Sequence, residues 1–115
     1  MPLDILKTAE VIESLENFMS KRRPSEDIRD ELDLAYKIEN QSLIIFEIRP
    51  RFMKESEKIE SPLAKTTWVK SRQHWKIFWM RADLKWHSYK PIPTVRSIDD
   101  FLEIVDEDSY GCFWG

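Results

Sequence analysis

Glycine is nearly missing from this chain: Gly111 and Gly115 are the only two in 115 residues. That scarcity excludes a glycine-rich phosphate-cradling loop before any motif is sought. Cys112 is the single cysteine, so no internal disulfide can form, and a reducing compartment is expected. No run of about 18 apolar residues exists, which leaves no candidate transmembrane helix. The first residues lack the basic-then-apolar layout of a signal peptide. A cytoplasmic location with no membrane partner is the expectation. The soft metal ligands are His74, His87 and Cys112, three isolated positions, too few and too irregularly spaced for zinc. No metal and no cofactor is expected.

What is present is charge, at 34%, beside an ordinary apolar fraction of 42%. A chain of 115 residues favours one domain, 1–115, able to bury roughly two thirds of its unfolded surface. The net charge of −3 is unevenly spread: −4 over residues 1–42, +7 over 43–96 and −6 over 97–115. A basic block between acidic flanks admits an anionic partner, or a fold in which the acidic end neutralises the basic sheet.

Periodicity gives the order of elements. Residues 4–21, within an N-terminal segment 1–23, follow the helical period, with Asp4 as cap and Ile5, Ala9, Val11, Ile12, Leu15, Phe18 and Met19 on one broad apolar face. Lys21, Arg22 and Arg23 suit the helix C-terminus, and Pro24 stops it. Residues 25–32 suggest a short helical turn. Leu32, Leu34, Tyr36 and Ile38 alternate as in a strand, and Asn40-Gln41 can turn the chain. Leu43 to Ile48 is apolar on both faces, the pattern of a central strand covered on both sides, and Pro50 is expected to end it. Residues 54–61 read as a polar loop closed by Ser61-Pro62. Strands are expected over Lys65–Arg72 and Trp75–Ala82, joined by a tight turn at Gln73-His74, with a short edge strand over Trp86–Tyr89. Ser97 caps a final helix over 97–107, in which Ile98, Phe101, Leu102 and Val105 keep i, i+3, i+4, i+7 spacing. In 108–115, Phe113 and Trp114 are expected to dock on the domain rather than stand in water. The fold class is therefore α+β: an N-terminal helix, an antiparallel meander of four to five strands over 32–90 and a C-terminal helix, in two layers.

One constellation stands out. Across the expected hairpin, period-2 alternation places Trp68, Trp75, Ile77 and Trp79 on one face with Lys70, Arg72 and Arg81. Thr67, Val69, Phe78, Met80 and Ala82 form the other face, which reads as core. Rings beside cations suit a protein partner or a homodimer interface, and equally single-stranded nucleic acid, whose bases stack on rings at about 1–3 kcal/mol each. Structural packing through cation–π contacts gives the same pattern. The expectation is a non-enzymatic binding module using Trp68, Lys70, Arg72, Trp75, Trp79 and Arg81, with no catalytic residue. The segment 81–89 is dense in polar and aromatic types, and Asp83, His87 and Tyr89 are expected to form a polar network at the sheet corner. Asp33 with Glu47-Ile-Arg49 faintly resembles the Asp…Glu-x-Lys site of metal-dependent nucleases, with Arg where Lys belongs. Alternation points Asp33 away from Glu47.

Four stretches, Glu47-Ile-Arg-Pro50, Ala64-Lys-Thr-Thr-Trp-Val-Lys70, Trp75-Lys-Ile-Phe-Trp-Met-Arg-Ala-Asp-Leu-Lys-Trp-His-Ser-Tyr89 and Asp108-Ser-Tyr-Gly-Cys-Phe-Trp-Gly115, resemble a small bacterial family, the domain of unknown function number 3024. The resemblance spans roughly residues 30–115. It implies a bacterial source and a stand-alone domain, and carries no activity, cofactor or site residue.

Overall fold

The computed structural model describes residues 2–114, with the backbone only at Glu55. Met1 and Gly115, the outermost positions of the two expected terminal segments, lie outside the described residues. Helix α1 spans Ile5–Arg22. Asp4 caps it by accepting from the Lys7 amide at 2.7 Å. Arg23 is already extended, as expected of a residue before proline. The buried side of α1 is narrower than its sequence suggests. Val11, Leu15, Phe18 and Met19 are inside, while Ile5 is 86% and Ile12 40% exposed. Residues 26–31 form hydrogen-bonded turns, the Ile28 amide donating to the Ser25 carbonyl and the Leu32 amide to the Ile28 carbonyl, each at 3.0 Å, without extending into a helix.

Strands β1 (Asp33–Glu39), β2 (Ser42–Arg51), β3 (Lys54–Val69), β4 (His74–Met80) and β5 (Trp86–Ser88) form an antiparallel meander in chain order. A two-residue strand, β6 (Thr94–Val95), pairs with β4 beside β5. It adds a sixth strand to the four or five expected. Asn40, at φ 54°, makes the β1–β2 turn. Helix α2 (Ile98–Glu107) starts at Ser97, whose hydroxyl accepts from the Asp100 amide at 3.1 Å. Its four spaced apolar residues are all buried.

Two expectations about β2 and β3 are corrected. Pro50 does not end β2. It pairs with Lys58 beyond the last β1 pair, Asp33 with Ile48, so its missing N–H disrupts nothing on the β1 side. Residues 54–61 are strand rather than loop and form, with β2, a projecting two-stranded ribbon. Leu63 is the extra residue of a bulge, because Ile45 faces Ala64 while Phe46 faces Pro62.

Both helices bury their apolar sides in one cluster with Leu34, Leu43, Ile45, Ala64, Trp68, Trp75 and Ile77. The register puts those sheet residues on a single face. The opposite face carries Ile44, Phe46, Phe78, Met80 and Trp86, outside that cluster. Phe113 is docked at 3% exposure, and Trp114 donates its indole N–H to the Val105 carbonyl at 2.7 Å.

Candidate functional site

The β3–β4 connection is longer than expected, and this relocates the predicted cations. Lys70–Arg72 form a 3₁₀ turn and Gln73 takes a left-handed conformation at φ 53°. Val69 then faces His74, and Trp68 faces Trp75. Lys70 and Arg72 are exposed in the turn and leave the sheet face altogether. The division of residues between faces holds, because the pairing sum keeps its parity. The choice of core face is reversed. Trp75 is 1% and Trp68 7% exposed, packed ring to ring at 5.1 Å beneath α1, with Lys7 4.2 Å above the Trp68 ring. Trp79 is half-buried against the same cluster, and Arg81 lies 5.6 Å over its ring. Of the six predicted binding residues, Trp68 and Trp75 are thus interior. The reason is size: Trp68, Trp75, Ile77 and Trp79 together offer the helices more apolar area than Val69, Phe78 and Met80 would.

The expected corner network is present in part. His87 Nε2 meets Asp83 Oδ2 at 2.8 Å, and Asp83 Oδ1 accepts from the Lys85 amide at 3.0 Å. The His87 contact, then the amide, hold the Asp83 carboxyl below its usual range. Tyr89 takes no part in that network. It is buried 5.0 Å from the Phe113 ring, and burial pushes its hydroxyl pKa up. Asp33 pairs across from Ile48 while Glu47 pairs with Leu34, so the two carboxylates sit on opposite faces. Asp33 is held by Arg23, and Glu47 lies 3.3 Å from Arg49.

The helix-free face brings aromatic and cationic side chains together. Phe46 lies at its centre, 6% exposed, with Ile44 beside it at 8%. Phe78, Met80 and Trp86 are half-buried further along. Lys37 Nζ stands 5.4 Å over the Phe46 ring. Lys65 Nζ stands 5.6 Å over Phe78 and 5.8 Å over Trp86. Such contacts are worth about 0.5–1 kcal/mol each at exposed sites, enough to order the lysines over the rings. Both signs are present: Lys37 also lies 3.5 Å from Glu60 and 3.8 Å from Glu39.

The sequence pattern of the family described as "Domain of unknown function (DUF3024)" matches residues 3–115. The chain belongs to that family. Among curated proteins and solved structures nothing matches it.

In this DUF3024 domain, Phe46, Phe78, Trp86, Lys37 and Lys65 are the face residues that sequence reasoning missed. A signal for them existed. The run Leu43-Ile-Ile-Phe46 is apolar on both sides, the pattern of a strand that places apolar residues on both faces of its sheet. Among the described residues, no group of three or more His, Cys, Asp or Glu is placed to hold a metal ion, and no helix is long and apolar enough to cross a membrane.

Proposed function

We propose that this domain is a non-enzymatic interaction module whose contact surface is the helix-free face of the sheet, and that its occupant is a second copy of the chain. The observation that carries this reading is the two-sided apolar character of β2: Leu43 and Ile45 join the helix cluster, while Ile44 and Phe46 face away from it. Two such faces stack about 10 Å apart in a sheet sandwich. Lysines and glutamates occur on the same face, Lys37 beside Glu39 and Glu60, so a two-fold partner finds complementary charge. That mixture supports a protein occupant over nucleic acid, which calls for a face of one sign.

Sedimentation equilibrium at about 100 μM tests this. The expected mass is twice the 13.9 kDa of the chain. Met80→Glu, and separately Lys65→Glu, should return it to monomer with an unchanged circular dichroism spectrum. A monomeric wild type contradicts the proposal. If that monomer also binds a single-stranded oligonucleotide in a salt-sensitive way, and Lys65→Glu abolishes binding, the face belongs to nucleic acid.

A further inference from the structure

A cleft lies on the helix side of the sheet, at its β4–β5 edge. Its volume is about 330 Å³, and Trp79, Arg81, His87, Tyr89, Lys90 and Cys112 are among the residues that line it. Its floor follows from register. Trp79 pairs with His87, and Arg81 and Tyr89 lie two residues further along their chains, so all four point to one side. Cys112, from the segment 108–114, forms the far wall. That wall is fixed, because Asp108 accepts from the amides of Phe113 at 3.1 Å and Trp114 at 2.9 Å. Arg22 braces it from outside, 4.5 Å over the Trp114 ring.

The lining divides by chemistry. Trp79, Pro91 and Cys112 offer apolar surface. Arg81 and Lys90 offer positive charge, and among the described residues neither forms an ion pair. The nearby carboxylates hold other hydrogen-bond partners, Asp83 with His87 and the Lys85 amide, Asp108 with its two amides, while the Arg81 charge also acts on Asp83. Cys112 is not poised as a nucleophile, since burial and then Asp108 push its thiol pKa up and keep it protonated. The cleft is therefore built to bind rather than to react through sulfur.

We infer that this cleft is a binding site for a small aromatic carboxylate. The planar guanidinium of Arg81 matches a carboxylate through two parallel N–H donors, and Lys90 adds a second cation. The exposed part of the Trp79 indole takes the flat apolar body of the ligand. A volume of about 330 Å³ falls at the small end of ligand sites, fitting a single-ring compound. The inference does not depend on the dimer, because the cleft and the helix-free face lie on opposite sides of the sheet.

Titration of the ¹⁵N-labelled protein with benzoate, benzamide and inorganic phosphate tests it. Benzoate should give saturable shifts of the Trp79 indole N–H and of the amides of Arg81, His87, Lys90 and Cys112 below about 10 mM. Benzamide and phosphate should bind at least several-fold more weakly. Arg81→Gln and Lys90→Gln, both at exposed positions, should each weaken benzoate roughly two- to fivefold. No saturable shift with benzoate, or shifts unchanged in both variants, overturns the proposal. Equal binding of benzamide removes the anion requirement and equal binding of phosphate removes the aromatic one; either result overturns it as well.

Discussion

Asp33 shows how one side chain ties two elements together. Both its oxygens accept from the Arg23 guanidinium, at 2.8 and 2.9 Å, and Oδ1 also accepts from the Leu34 amide at 2.7 Å. The Arg23 bond first, then the amide, hold the carboxyl below its usual range, against an opposing effect of burial. A carboxylate with a lowered folded-state pKa stabilises the fold above its unfolded value, about 3.9, and loses that contribution as pH falls through the folded value. Asp33→Asn should therefore melt a few degrees below wild type at pH 7, and the gap should close as pH drops well under 4, read by thermal denaturation across pH. In sequence Asp33 stood only in a faint metal-site pattern, which alternation already disfavoured by placing it on the face opposite Glu47. Its Arg23 partner was not legible, because that contact depends on where α1 ends relative to β1.

Among the elements, helices were the more legible. In α2 the capping serine, the acidic first turn and the i, i+3, i+4, i+7 spacing all agree, and all four apolar residues are buried. The ribbon half of β3 was illegible for a physical reason. Lys54 and residues 56–60 meet water on both faces, so nothing selects for alternation, and only pairing with β2 makes the segment strand. The β3–β4 hairpin is an intermediate case. Period-2 alternation separates its faces correctly, but aromatics occur on each, so pattern alone leaves the core side undecided. Trp75 measures the answer. It is 1% exposed and among the largest buried side chains. Trp75→Ala should cost about 3–5 kcal/mol in chemical denaturation, whereas Lys70→Ala, in the exposed turn, should stay within about 0.5 kcal/mol. Near-equal effects would mean that the tryptophan face is not the core.

For the whole molecule, shape and charge act together. The extents are 46 × 29 × 26 Å. The projecting ribbon exposes Phe52 at 89% and Met53 at 84%, and the start of α1 exposes Ile5 at 86% and Leu6 at 83%. These are rival contact surfaces, yet neither is continuous with a buried strand as the helix-free face is through Ile44 and Phe46. The acidic block of residues 97–115 is mostly helix α2, on the helix side of the sheet, so it does not cover the lysines of the opposite face. A mixed sample of isotope-labelled and unlabelled chain, examined by isotope-filtered NOE spectroscopy, addresses the contact surface directly. The expected result is intermolecular contacts from the Phe78 and Trp86 rings and the Met80 methyl group. Intermolecular contacts confined to Phe52 and Met53, or to Ile5 and Leu6, would contradict the assignment of the helix-free face as the interaction surface.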